Sequence, residues 1–239
     1  MLCAAWGDLW PQQDEIGKGP DLELLRTIDA YCERMDAGFW AEPVNAITNL
    51  AFVIAAFIMW RRTAGLPLAR ILCIVLAAIG IGSFLFHTFA QVWAAMADVA
   101  PIVVFILVYI FAINLHAVGL RMRYAIFGTL AFFPYAALLV PVFSQVPGLG
   151  SSAGYAPVPL LIFCYALYFR RRDPVLARGL FVGAVILCVS LAFRTIDLPI
   201  CARLPLGTHF MWHVLNGIML GWMIEVYRRS RLGKADAAR

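Results

Sequence analysis

Charge is what this 239-residue chain has least of: Asp, Glu, Lys and Arg make up 14% of it, against about 25% in an average soluble domain. Apolar residues fill 63%, where roughly 45–50% is usual. That imbalance excludes an ordinary soluble globule and implies an integral membrane protein. A net charge of +5 would suit nucleic acid if the basic residues shared one face, but they sit in short patches between apolar runs, so no nucleic-acid partner is expected. Other absences narrow the reading further. Met1 to Trp10 lacks a basic opening and a sustained apolar core, so no cleavable signal is expected there. No internal repeat, low-complexity tract or second soluble domain is visible. The six cysteines include no Cys-x-x-Cys pair. Gly148 to Gly154 lacks the lysine and strand context of a phosphate loop and reads as a flexible connection.

What is present are apolar stretches. A helix needs about 17–25 residues to cross a hydrocarbon layer of roughly 30 Å, and seven candidate spans occur, at 43–60, 66–89, 98–116, 124–143, 156–170, 178–195 and 206–227. The expected fold is an all-α, seven-transmembrane-helix bundle, which satisfies its backbone groups internally. It divides into an N-terminal extension over 1–42, the bundle over 43–227 and a basic tail over 228–239. Arg61, Arg62 and Arg70 join spans 1 and 2, Arg121 and Arg123 join 3 and 4, Arg170 to Arg172 and Arg178 join 5 and 6, and Arg228, Arg229, Arg231 and Lys234 follow span 7. The opposite connections carry almost none, so the positive-inside rule places the N-terminus outside and the C-terminus in the cytoplasm. The compact loops suggest a bacterial inner membrane, or an ER or Golgi membrane in a eukaryote.

Histidine is scarce too, with four in the chain, yet three of them gather at one end of the expected spans. His87 ends span 2, and His209 and His213 open span 7. Imidazole is costly beside hydrocarbon unless it has a partner, so three rings at one depth point to a shared ligand, most simply zinc. His209 and His213 lie four apart in Thr-His-Phe-Met-Trp-His and share a helical face. Phe210 stands where a protease-type His-Glu-x-x-His motif has its glutamate, which excludes that mechanism. Three histidines leave a fourth tetrahedral position for water, the catalytic kind of zinc site. Ser83, four before His87, and Asp98, at the start of span 3, fall at the same depth. Asp98 suits a general base and Ser83 a hydrogen bond to a carbonyl under attack. Asp98 also suits a helix N-cap, and Ser83 a bond to its own i−4 carbonyl. His116, at the inner end of its span, reads as interfacial.

The extension holds a second polar concentration. Leu24, Leu25, Ile28, Cys32 and Met35 fall on one stripe if residues 21–36 form a helix lying on the membrane surface. Asp29, Glu33, Asp36 and Glu42 are either its solvated face or hard oxygen donors suited to calcium. Cys32 and Cys201 both fall on the outer side.

Together, Asp29-Ala-Tyr-Cys-Glu33, Phe39-Trp-Ala-Glu42-Pro-Val-Asn45-Ala-Ile-Thr-Asn49, Gly82-Ser83-Phe-Leu-Phe-His87, Asp98 and His209-Phe-Met-Trp-His213 resemble the alkaline ceramidases. The resemblance runs over about 25–225, with the motifs in order. It implies a seven-helix fold related to the adiponectin-receptor-type hydrolases, zinc held by His87, His209 and His213, active-site roles for Ser83 and Asp98, and cleavage of the ceramide amide to a sphingoid base and a fatty acid. It also implies calcium bound by the acidic segment, with Tyr31 contributing its carbonyl, and a disulfide between Cys32 and Cys201. The acidic segment departs from the family pattern: Ala30 and Tyr31 stand where an acid and a tryptophan precede Cys-Glu. A zinc-dependent hydrolase of ceramide or another N-acyl lipid is therefore expected. A seven-helix receptor with a structural metal and no turnover is the alternative. A transporter is disfavoured, since the inner halves of the spans hold few ionisable groups.

Overall fold

The computed structural model describes residues 23–237; the opening residues, where no cleavable signal is expected, and the first two positions of the expected surface helix lie outside them. Four helices open on a proline in the first turn, where a fixed φ fits and no N–H is needed. They are α1 (Pro43–Thr48), α3 (Pro67–Phe89), α7 (Pro157–Phe169) and α8 (Pro174–Ile200). Past Asn49, α1 passes into α2 (Leu50–Arg62). Helix α4 (Val92–Ala112) ends in a π-helical turn, Ile113–Val118. Helices α5 (Met122–Leu130) and α6 (Phe132–Ser144) make one rod interrupted at Ala131. A 3-10 turn, Gly150–Gly154, leads to α7, and the described chain closes with α9 (His209–Ala237).

Among the described residues six segments are long and apolar enough to cross a membrane: Pro43–Arg62, Pro67–Phe89, Val92–Val118, Met122–Ser144, Gly150–Phe169 and Pro174–Ile200. The seventh long helix, α9, carries His209, His213, Asn216 and Glu225, all buried, and is not among those six. Among the described residues the architecture is all-helical and multi-pass, and its long rods follow the expected order. Successive rods alternate in direction, which brings the start of α1, the α3–α4 turn and the α8–α9 loop to one end.

Helix α9 packs against α1, α2, α3 and α8, with Leu72, Leu76, Ile79, Leu180 and Ile224 fully buried between the rods. In lipid such contacts hold by close packing, since hydrocarbon is as apolar outside as inside. The α5–α6 rod stands at the edge, and α6 has no buried residue.

Several boundaries differ from the sequence expectation. Helix α4 begins at Val92 with Gln91 as its N-cap, so Asp98 lies in the second turn and caps nothing. Helix α8 continues past residue 195 to Ile200 and places Asp197 inside the helix. Helix α9 continues past residue 227 to Ala237.

The surface helix expected over 21–36 does not form in the described residues: only residues 23 and 24 are helical there, and from Leu25 the chain is extended or turning. Tertiary bonds override the helical stripe. Thr27 bridges to Gln91, with Ile28 N–H donating to the Ala90 carbonyl at 2.7 Å and Val92 N–H to that of Arg26 at 3.1 Å. A disulfide joins Cys32 to Cys201 with Cα atoms 5.4 Å apart. The apolar stripe splits accordingly. Ile28 and Cys32 turn inward, while Leu24, Leu25 and Met35 stay exposed. The segment is a strap across the end of the bundle where the histidines lie.

Candidate metal centre

Helix α9 presents His209 and His213 from successive turns, with ring centroids 4.7 Å apart. His87, in the last turn of α3, brings its ring to 4.6 Å from His213 and 5.1 Å from His209. One ligand nitrogen from each ring lies within 4.8 Å of the other two, a cluster that could hold a metal ion. All three side chains are buried. His209 Nδ1 and His213 Nε2 have no hydrogen-bond partner, and a buried polar nitrogen left so costs about 1–3 kcal/mol. Orphaned nitrogens in a nest of three imidazoles are what a borderline-soft cation such as zinc would satisfy. The donor set fits zinc.

Each ring is oriented by a neighbour. Glu42 Oε2 meets His87 Nδ1 at 2.6 Å, the carboxylate–histidine arrangement that fixes a ligand's tautomer and raises its basicity. Burial pushes the Glu42 carboxyl up, but the hydrogen bond and charge of His87 and the charge of Arg34 outweigh it, holding the group below its usual range. Thr48 Oγ1 lies 3.0 Å from His213 Nδ1. The same hydroxyl donates to the Val44 carbonyl at 2.7 Å, so its oxygen is left to accept from the imidazole. Tyr31 stacks on His209 with centroids 3.6 Å apart. Its phenol is pushed up by burial and stays protonated.

Asp197 anchors the third element. Its Oδ1 accepts from Thr208 N–H at 2.6 Å and His209 N–H at 2.8 Å, capping the start of α9. Its Oδ2 accepts from Cys32 N–H at 3.0 Å, so one buried carboxylate ties strap, α8 and α9 together. Gly207 makes this possible. It sits at φ +67°, and a Cβ there would strike Asp197 Oδ1 and Cys32.

Ser83 and Asp98 meet where α3 crosses α4. A Cβ on Gly82 would collide with the Ala97 carbonyl oxygen, so glycine permits the helices to touch at this level. Ser83 lies beside the Asp98 carboxylate, and Asp98 lies within electrostatic reach of His87 and Arg194. Asp98 is half-buried, unlike the three histidines. Arg194 donates to Ser151 Oγ at 2.7 Å, Ser152 Oγ at 3.1 Å and the Tyr31 hydroxyl at 3.4 Å.

The expected calcium donors are not brought together. Glu33 accepts Val44 N–H at 2.7 Å and Asn45 N–H at 2.8 Å, capping α1 with both oxygens. Glu42 faces His87 and Arg34, Asp36 Oδ1 accepts Gly38 N–H at 2.6 Å, and Asp29 and Asp36 are exposed. Among the described residues the three histidines are the one such cluster of metal-binding side chains. Arg34, Thr48, Arg194 and Asp197 were not legible as site residues. Arg34 alone carried a signal, as a lone cation within an acidic run.

A protein-family model described as Ceramidase matches residues 29–238, a range that takes in the strap from Asp29 on, the three histidines, Ser83 and Asp98. No curated protein matches the chain significantly.

Proposed function

The chain belongs to the ceramidase family, and on that premise we propose that it is a zinc-dependent membrane amidohydrolase cleaving ceramide, or a related N-acyl lipid, to a fatty acid and an amine. The observation that carries the reading is the buried cluster of His87, His209 and His213 with Ser83 and Asp98 beside it. Zinc, when bound, lowers the pKa of a water to about 7 and polarises a carbonyl.

The chain's own groups supply the rest. Asp98 accepts the proton that the attacking water loses as its oxygen bonds to the carbonyl carbon. Once Asp98 has taken that proton and no longer needs a donor, the Ser83 hydroxyl turns to the carbonyl oxygen and donates a hydrogen bond as negative charge develops there. Asp98 then gives its proton to the nitrogen as the C–N bond breaks, so fatty acid and free amine leave with atoms balanced. Glu42 and Thr48 orient His87 and His213, which with His209 would hold the zinc ion.

A narrow apolar cavity of about 50 Å³ between α4, α7, α8 and α9, lined by Phe105, Tyr109, Ile162, Tyr165, Met219 and Met223, would take an alkyl chain once its side chains move apart. Methionine side chains re-pack readily around such a guest. Met219 lies six residues beyond His213 on α9, about 9 Å along the helix, so a chain seated there leaves the amide near the metal. The basic connections at the far end support a site on the outer side of the membrane and a C-terminus in the cytoplasm.

Incubating purified protein with a lipid extract and following products by mass spectrometry tests the reading without presupposing the substrate. Paired appearance of a long-chain amine and a fatty acid supports it. An extract left unchanged by zinc-loaded protein refutes it.

A further inference from the structure

The family resemblance implies calcium in the acidic N-terminal segment, and the residues there do not fit it. Calcium needs about 6–8 oxygen ligands at roughly 2.3–2.6 Å. Both Glu33 oxygens are committed to the start of α1, and Asp29 and Asp36 face solvent. Beside Glu42, where a cation would be wanted, the chain has placed one of its own. Arg34 Nε donates to Glu42 Oε1 at 2.6 Å, both side chains being 3% exposed. Its Nη2 donates to the His87 carbonyl at 3.2 Å, and its Nη1 to the Asp36 carbonyl at 3.2 Å.

We propose that Arg34 is a tethered cation that does the work of the calcium ion, and that the metal centre of this protein is calcium-independent. Glu42 is the hinge of the argument. Its second oxygen holds His87 Nδ1 at 2.6 Å and accepts from Asn45 Nδ2 at 3.1 Å. A buried carboxylate spanning a metal ligand and nothing positive would be costly and free to turn. Arg34 neutralises it, fixes its rotation with a planar donor and, through the His87 carbonyl, pins the strap to the end of α3. Guanidinium is charged at every accessible pH and its donors are held in a rigid fork, so this cation cannot dissociate. Arg34 is thus a positioning residue, acting on His87 through Glu42.

The effect on turnover rests on the hydrolase reading; zinc affinity does not. The test is therefore zinc titration of apo-protein in calcium-depleted buffer, with calcium added back, since chelators that remove calcium also strip zinc. In the wild type, millimolar calcium should change zinc affinity and amide cleavage by less than twofold and leave the thermal midpoint where it was. Arg34→Gln should weaken zinc binding about 10–100-fold, as loss of an outer-shell partner does. Arg34→Lys, which keeps the charge, should recover most of that loss. Calcium that tightens zinc binding or activates the wild type tenfold would overturn the proposal, as would Arg34→Gln binding zinc like the wild type. If Arg34→Gln does not fold, the wild-type calcium titration decides alone. If no lipid amide is cleaved, the zinc titration still decides the role of Arg34, and only the hydrolase reading falls.

Discussion

One carboxylate, Glu42, answers three neighbours at once, and its bond to His87 at 2.6 Å makes it part of the metal centre. Replacing it with glutamine removes the charge and keeps the shape. Zinc affinity should fall about 10–100-fold, measured by competition with a chromogenic chelator, while the helical content by circular dichroism stays the same. Asp98→Asn should act differently. It leaves the ligands intact, so zinc stoichiometry should hold while kcat drops about 10²–10⁴-fold, the usual contribution of a positioned acid–base group. Loss of zinc in Asp98→Asn would count against its assigned role. The histidines, Ser83 and Asp98 were legible in sequence because each is a polar intruder in an apolar run. Glu42, Thr48 and Asp197 were not legible as ligand-orienting groups, because their partners lie 45, 165 and 11–12 positions away and nothing local marks the pairing.

Two elements decide whether these residues meet. The α3–α4 crossing depends on Gly82, where a methyl would strike the Ala97 carbonyl. Gly82→Ala should push the helices apart and separate Ser83 from Asp98. Hydrolysis should drop tenfold or more, about 1.4 kcal/mol or more in barrier, with the three-histidine zinc affinity changed far less; wild-type kcat would contradict the packing argument. The strap is the second element. Cys201→Ser frees it from the α8–α9 loop, and loss of a long-range disulfide typically costs about 2–5 kcal/mol, so the thermal midpoint should fall by several degrees. Helix existence was readable from apolar length, whereas the strap was not. Its stripe at helical spacing is a local signal, and the disulfide, the bridge to Gln91 and the Glu33 cap are tertiary bonds that outweigh it.

For the whole molecule, the basic ends of α2, α7 and α9 oppose the histidine end, and the positive-inside rule applied to that asymmetry predicts an orientation. A C-terminal tag should be protected from protease in sealed right-side-out vesicles and an N-terminal tag cleaved. The family match over residues 29–238 agrees with the resemblance that the motifs carry, and the multi-pass helical fold with what apolar length implies, while calcium finds no support among the described residues. The central claim is that lipid amide cleavage belongs to a zinc held by His87, His209 and His213. Metal content and ceramide cleavage measured on the same purified sample test it most directly, in wild type and His213→Ala, before and after zinc removal and add-back. The account predicts that zinc and cleavage are lost together on stripping, return together on add-back in the wild type, and do not return in His213→Ala. Full cleavage by His213→Ala, or by wild-type protein holding no metal, would contradict it.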